Sequence, residues 1–324
     1  MPKTICCVVP CLNEAQALPA FADAVNETAK ALEGRAEVRA LFVDDGSADG
    51  TLPLLRRLSK EDARFSYLSL SRNFGKEAAM LAGLEHAEGD YIAVMDADLQ
   101  DPPEYLIPMF EALESGEYDS AALYREDRRG EKKVRSFFSN AFYAVFRFLT
   151  KTDIPNGARD FRLMTRRMTD CLLRMREHTR FTKGMMCWVG FRTKWIPCEN
   201  RPRAAGKTKF PARKLMGYAA DGITAFSDRP LKLAGGCGFL LCALAAAGFL
   251  FYFIKALLFG DPVTGFPTLV CLILLLGGIQ LLSIGILSEY IARIYTESKQ
   301  RPDYFIKEES GSGEESSTKS HSCA

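Results

Sequence analysis

Tyr91-Ile92-Ala93-Val94-Met95-Asp96-Ala97-Asp98-Leu99-Gln100-Asp101 is the stretch on which the reading of this 324-residue chain turns. Its first half is a short uninterrupted apolar run, the pattern of a strand buried on both faces, and its second half is acidic. Alternate side chains of an extended segment share a face, so Asp96 and Asp98 stand side by side past the strand end, with Gln100 next in phase. A hard divalent cation takes such oxygen ligands, keeps several waters and is completed by substrate phosphates. An isolated Asp-x-Asp is equally compatible with a polar turn. Its position after a buried strand and before Leu-Gln-Asp-Pro-Pro-Glu favours a metal and nucleotide site.

Working outward, further β-rich runs are Thr4 to Val9, Val38 to Val43, Phe65 to Leu70 and Asp119 to Tyr124. Amphipathic stretches begin between them near Glu14, Gly50, Lys76 and Pro103. Strand and helix alternating at this rhythm predict an α/β fold, a doubly wound and mostly parallel sheet covered on both faces. Ligands bind such sheets beyond the carboxyl ends of the strands. Those ends read Pro10-Cys11-Leu12-Asn13-Glu14, Asp44-Asp45-Gly46-Ser47, Ser71-Arg72-Asn73-Phe74-Gly75-Lys76 and the Asp96 to Asp101 segment. Acidic and amide groups gathered with one lysine suit a nucleotide and a cation better than an apolar ligand. Asp44 and Asp45 are candidates to hold a base or ribose, and an Asx-type turn is the alternative. Asn13 and Glu14 have a similar alternative as caps of the first helix.

The averages are less informative than their distribution. The 42 Lys and Arg nearly balance the 40 Asp and Glu, which argues against a nucleic-acid partner but hides local asymmetry. Leu233 to Ile254 and Phe266 to Leu287 carry no charge, and each is roughly the 20 residues needed to span a bilayer as a helix. Arg125, Arg128, Arg129, Lys132, Lys133 and Arg135 precede an aromatic-rich stretch reaching residue 151, read as a helix in the membrane interface, with a core helix packed on the sheet as alternative. Residues 201–230 form a second basic, amphipathic segment. The loop 259–266 between the spans lacks Lys and Arg while both outer flanks are rich in them, so both termini are expected on the cytoplasmic side of a plasma membrane. Lys255 snorkels. This divides the chain into a catalytic domain 1–200, the juxtamembrane segment 201–230, two spans within 231–292 and a tail 293–324, expected disordered from about 308. Ten scattered cysteines without a Cys-x-x-Cys pair, and three distant histidines, His86, His178 and His321, offer no zinc site. Reduced thiols are the expectation. The run Ile5 to Val9 is too short for a signal-peptide core.

Taken together, Val-Val-Pro-Cys-Leu-Asn-Glu, Val-Asp-Asp-Gly-Ser, Ser-Arg-Asn-Phe-Gly-Lys-Glu-Ala-Ala, Asp-Ala-Asp-Leu-Gln-Asp-Pro-Pro-Glu and Asp-Phe-Arg-Leu-Met resemble, in order, the family 2 glycosyltransferases of GT-A fold. Within them the likeness is to the polyprenyl-phosphate branch, which includes bactoprenol glucosyltransferases and dolichyl-phosphate mannose synthases, and it extends over roughly residues 4 to 305. The resemblance implies that Pro10, Asn13, Glu14, Asp44 and Asp45 surround the nucleotide, with Lys76 near the donor pocket. It implies that Asp96, Asp98 and Gln100 hold Mg²⁺ or Mn²⁺ against the diphosphate, and that Arg203 and Lys209 meet the donor phosphates. Arg125, Arg128 and Arg135 would receive the lipid phosphate, and Asp160 matches the carboxylate often assigned as catalytic base. Two positions depart from the pattern: Arg159 stands where glycine is usual, and Thr208 replaces the serine before Lys209.

The implied reaction is inverting transfer of a sugar, UDP-glucose being the favoured donor, to undecaprenyl phosphate, with GDP-mannose and other UDP-sugars as alternatives. A phosphate with a second pKa near 6 is largely ionised at neutral pH, so Asp160 is expected to orient a group more than to remove a proton. A homo-oligomer and a flippase partner are compatible with two spans per chain. A processive polysaccharide synthase would carry Gln-x-x-Arg-Trp and more spans; a nicotinamide dehydrogenase would need Gly-x-Gly-x-x-Gly where Pro10-Cys11-Leu12-Asn13 stands. A non-catalytic membrane scaffold has no use for the three carboxylates.

Overall fold

A computed structural model describes residues 2–125, 155, 157–178, 180–199 and 266–311, with isolated positions between 236 and 254. The chain divides into two compact units, Met1–Leu215 with Arg301–Ala324, and Met216–Gln300.

In the first unit β1 (Lys3–Cys11), β2 (Ala36–Asp44), β3 (Phe65–Leu70) and β4 (Tyr91–Val94) are joined by α1 (Leu18–Ala31), α2 (Thr51–Glu61) and α3 (Lys76–His86). β1 pairs in parallel with both β2 and β4, and β2 with β3. All four carboxyl ends therefore open on one edge, as the sequence predicts. Burial on both faces explains the unbroken apolar runs: Ile5, Cys7, Val8 and Val9 are wholly enclosed, as are Ile92 and Ala93. α3 lies close on this floor because Gly83 has no side chain; a Cβ there would overlap Val8 Cγ1 and come 3.1 Å from Val43 Cγ2. Cys6, Cys7 and Cys11 are buried free thiols, and burial pushes Cys6 up to about 11.

Several boundaries differ from expectation for local reasons. The helix expected near Glu14 starts at Leu18, because Asn13 sits at a left-handed φ of 55° and the Glu14 carbonyl first accepts from Ala17 and Leu18 N–H in a turn. A 3₁₀ turn, Pro103–Tyr105, precedes α4 (Leu106–Glu114).

Beyond β4 the sheet changes sense. β5 (Ser120–Arg125), β6 (Ala158–Thr165) and β7 (Thr193–Cys198) follow, with α5 (Arg166–Leu173) and α6 (Thr182–Trp188) between β6 and β7. With a last strand β8 (Ile306–Glu309) the order is β7-β5-β6-β4-β1-β2-β3-β8, so β6 enters between β4 and β5, antiparallel to both.

The last strand, β8 (Ile306–Glu309), corrects the expectation of disorder from about residue 308: it pairs antiparallel with β3 on the sheet's outer edge. The Arg56 guanidinium grips the Glu308 carboxylate at 2.7 and 2.6 Å, and Ser310 and Tyr67 exchange hydrogen bonds of 2.9 and 3.0 Å. The segment before β8 also docks, with Phe305 accepting from Ser71 N–H at 2.8 Å and packing on Phe74. An unpaired sheet edge recruits a strand with its own hydrogen-bonding pattern, which composition does not report.

In the second unit α7 (Phe266–Ser298) runs for 33 residues, past the expected end of the second span at 292, since no Gly or Pro interrupts the chain between 285 and 302. Among the described residues no helix is long and apolar enough to cross a membrane, and most of the first expected span, like the segments 126–154 and 201–230, lies outside them.

Candidate active site

The register of β6 on β4 builds the site. Val94 stands opposite Arg162, the last pair of this antiparallel ladder, and Asp96 and Asp160 lie two residues beyond it on the two chains. Lys76, the first residue of α3, reaches both: its Nζ lies 2.7 Å from Asp96 Oδ1 and 2.8 Å from Asp160 Oδ2. A cation at a helix N-terminus is opposed by the helix dipole, so these carboxylates are what make the position tenable. From the other side Lys183, in the first turn of α6, meets Asp160 Oδ1 at 2.9 Å and donates to the Ala158 carbonyl at 2.9 Å. Asp96, Lys76, Asp160 and Lys183 thus form a line of alternating charge.

The four side chains are partly open to solvent, from 40% exposure for Asp96 to 22% for Lys183. Burial acts to raise the Asp160 pKa, but the ammonium groups of Lys183 and Lys76 outweigh it and hold the carboxyl far below the usual range. Burial acts to lower Lys76, and Asp160 and Asp96 outweigh that, so it stays protonated.

Two contacts behind the line fix the lysines. Glu77, next to Lys76, accepts from both the N–H (3.1 Å) and the hydroxyl of Thr182, next to Lys183. Arg162, 2% exposed, donates to the Met186 carbonyl at 3.3 Å and lies over the Trp195 ring, tying α6 to β6 and β7. Lys183 is the residue sequence reasoning missed. Its only signal is a single charge within the otherwise apolar Phe181 to Trp188 run.

The other expected residues fall into three groups. Asp98 and Gln100 follow Asp96 in the loop, where Asp98 Oδ1 accepts the Gln100 N–H at 3.1 Å across Leu99, itself left-handed. Asp101 beside them is nearly enclosed and faces Arg159 at 3.3 Å; burial pushes its carboxyl up to about 6 despite that guanidinium. Arg159 therefore points away from the Asp160 side of β6 and serves as a countercharge, which accounts for its departure from glycine.

Asp44 and Asp45 are 1% and 3% exposed and are spent on the loops. Asp44 accepts from Ser47 N–H at 3.1 Å and Ser69 hydroxyl at 3.0 Å, the Asx-type turn; Asp45 accepts from Phe74 and Gly75 N–H at 2.7 and 2.9 Å, presenting Lys76. Gly46 (φ 68°) allows this approach, since a Cβ there would meet the Arg72 carbonyl carbon at 2.5 Å. Asn13 also braces the loops, donating its N–H to Ser47 Oγ and accepting from Ala48 N–H, each at 2.9 Å, while Glu14 N–H donates to Thr51 Oγ1 at 2.9 Å. Pro10 lies near the end of β1.

Arg125 ends β5, its N–H held by the Gly157 carbonyl at 2.9 Å. Arg128, Arg135, Arg203 and Lys209 lie outside the described residues.

Asp96 and Asp98 offer a divalent cation hard oxygen donors with partial exposure, so the residues present fit Mg²⁺ or Mn²⁺. Among the described residues no group of three or more His, Cys, Asp or Glu side chains encloses a metal unaided, so phosphate and water oxygens would complete the shell. The arrangement is chemically suited to holding a charged diphosphate at one end and a second anion near the lysines.

Residues 6–173, from β1 through α5, match the Glycosyl transferase family 2 domain, and residues 229–294 match the GtrB C-terminal hairpin. The chain is 38% identical to the bactoprenol glucosyl transferase of Shigella phage SfV over 302 residues, covering 93% of this chain and 97% of that one. The SfII prophage-derived bactoprenol glucosyl transferase of Shigella flexneri is 38% identical, over 93% of this chain and 96% of its own. The prophage bactoprenol glucosyl transferase homolog of Escherichia coli (strain K12) is also 38% identical, over 93% and 97%. The matched domain takes in Asp96, Lys76 and Asp160 but not Lys183, and on these likenesses the chain belongs to glycosyl transferase family 2 and is a glycosyltransferase.

Proposed function

We propose that this chain moves a glycosyl group, glucose from UDP-glucose in the first instance, onto the phosphate of a membrane polyprenyl phosphate of the undecaprenyl type, with inversion at the anomeric carbon. The observation that carries the reading is the convergence of Asp96, Asp98, Asp160 and Lys76 at the carboxyl edge of the sheet. Relatives named bactoprenol glucosyl transferases along nearly the whole chain support the acceptor. A phosphate oxygen of the acceptor attacks the anomeric carbon, its lone pair forming the new C–O bond. The C–O bond to the nucleotide's diphosphate breaks on the opposite face, and the nucleoside diphosphate leaves with the bonding pair; no proton need move. Mg²⁺ or Mn²⁺ held by Asp96 and Asp98 would neutralise charge on the departing diphosphate.

A membrane location fits this acceptor. In the sequence Phe266 to Leu287 carries no charged residue over roughly the 20 residues that a spanning helix needs. Its large apolar side chains stand open, Leu281 at 71% and Leu282 at 66%, as a lipid-facing surface requires. With the match to the GtrB hairpin, this supports two spans in a plasma membrane with the catalytic unit and both termini on the cytoplasmic side. The test is to incubate the purified full chain with undecaprenyl phosphate, Mg²⁺ or Mn²⁺ and a panel of nucleotide sugars, and to identify the lipid product by mass spectrometry. A hexosyl-phosphoundecaprenol from UDP-glucose is expected; no glycolipid from any donor overturns the reading.

A further inference from the structure

We propose that Lys183 is a ligand of the acceptor phosphate, and that Asp160 serves as the positioning residue that sets Lys183 and Lys76 rather than as a base. The inference rests on the polyprenyl-phosphate reading and assigns a specificity role to a residue outside the matched catalytic domain.

The argument is one of charge and place. An acceptor phosphate carries about −1.5 to −2 at neutral pH and is repelled by a bare carboxylate. Asp96, Lys76 and Asp160 together sum to −1 and Lys183 brings the line to zero; a divalent cation drawn to Asp96 and Asp98 is offset by the Asp98 carboxylate and the donor diphosphate. Lys183 therefore decides whether this part of the site repels or accepts a second anion. It stands at the end of the line away from Asp96, on the far side of Asp160, and on the reading above the Asp96 end would take the donor diphosphate. Its ammonium is also built in: it is held by Asp160 and the Ala158 carbonyl, on a helix locked to α3 through Glu77 and to β6 through Arg162. Each oxygen of Asp160 accepts from a different ammonium, Oδ1 from Lys183 and Oδ2 from Lys76, the arrangement of a spacer between two cations. An acceptor hydroxyl would need a carboxylate free to take its proton; a phosphate needs cations.

The test compares wild type, Lys183→Met and Lys183→Arg as full chains in nanodiscs, titrating undecaprenyl phosphate and UDP-glucose separately. A charge-assisted hydrogen bond lost to Met is expected to raise KM for the lipid phosphate about 10- to 100-fold, while KM for UDP-glucose moves less than about 2-fold. Arg should recover most of the loss. Equal rises in both KM values, an unchanged lipid KM, or Arg no better than Met overturns the assignment. Wild-type glycolipid formation in the same assay reports on the polyprenyl-phosphate reading by itself, so the two failures are distinguishable.

Discussion

Gly83→Ala tests whether the packing of α3 sets the catalytic line. The new methyl would overlap Val8 Cγ1 and come 3.1 Å from Val43 Cγ2, both on the buried floor of the sheet. Carbon atoms rest about 3.5–4.0 Å apart, so α3 must withdraw by roughly 1.5 Å or the valines must leave their rotamers. Overpacking of this kind costs about 1–3 kcal/mol, or about 2–12 °C in Tm for a unit of this size. Lys76 lies two turns away on the same helix, in ion pairs of 2.7 and 2.8 Å. A shift near 1 Å at a reacting group costs up to about 100-fold in rate, so kcat should fall together with Tm. Val8→Ala removes the atoms in conflict. Alone it forfeits about 1.5–3 kcal/mol of apolar burial, but combined with Gly83→Ala it should be less damaging than the sum by at least ~1 kcal/mol, with turnover partly restored. Thermal unfolding in detergent and initial rates of glycolipid formation give both readouts. A strictly additive double variant, or Gly83→Ala with wild-type Tm and rate, would refute the reasoning.

Three further outcomes are expected. Asp160→Asn should lower kcat by about 100-fold without shifting the pH–rate profile between pH 6 and 9; a lost ionisation in that window would assign Asp160 as a base. Because its folded pKa is depressed, the stability Asp160 contributes is present above the unfolded carboxyl value near 3.9 and lost only as pH falls through the folded value, so melting curves should show its effect in strong acid alone. Arg159→Ala strands Asp101, 12% exposed, beside Asp96, Asp98 and Asp160, and should destabilise by about 1–2 kcal/mol at pH 7, where Asp101 takes up a proton rather than stay charged, with Asp101→Asn in the same chain recovering much of the Tm. Ending the chain after Gln300 removes β8 and the Phe305 contacts to Ser71 and Phe74, and with hydrogen bonds at about 0.5–1.5 kcal/mol each should cost at least ~2 kcal/mol and raise KM for the nucleotide sugar; ending it after Gly311 should change neither.

Local chemistry made much of the fold legible. The apolar runs at Val38 and Phe65 became strands within two residues of their expected limits, because β-branched and aromatic residues pack well on a pleated, half-buried surface. Helix starts at Thr51 and Lys76 were equally plain. Asp44 shows the limit of such reading: a carboxylate after a strand is the same sequence whether or not it also braces its own loop, as Asp44 does through Ser47 and Ser69.

The sequence by itself determined the class of sheet and the edge on which the polar strand ends with Asp96, Asp98 and Lys76 gather, since these follow from side-chain period and turn residues. Only the tertiary structure decided that β6 enters antiparallel beside β4, that Lys76 bridges Asp160 and Asp96, that Lys183 closes the line, and that Ile306–Glu309 joins the sheet instead of trailing free. The physical reason is range. Period and propensity act over a few residues, whereas a strand pairing is chosen by hydrogen bonds and burial between segments as far apart as β3 and β8, and no local pattern encodes the partner.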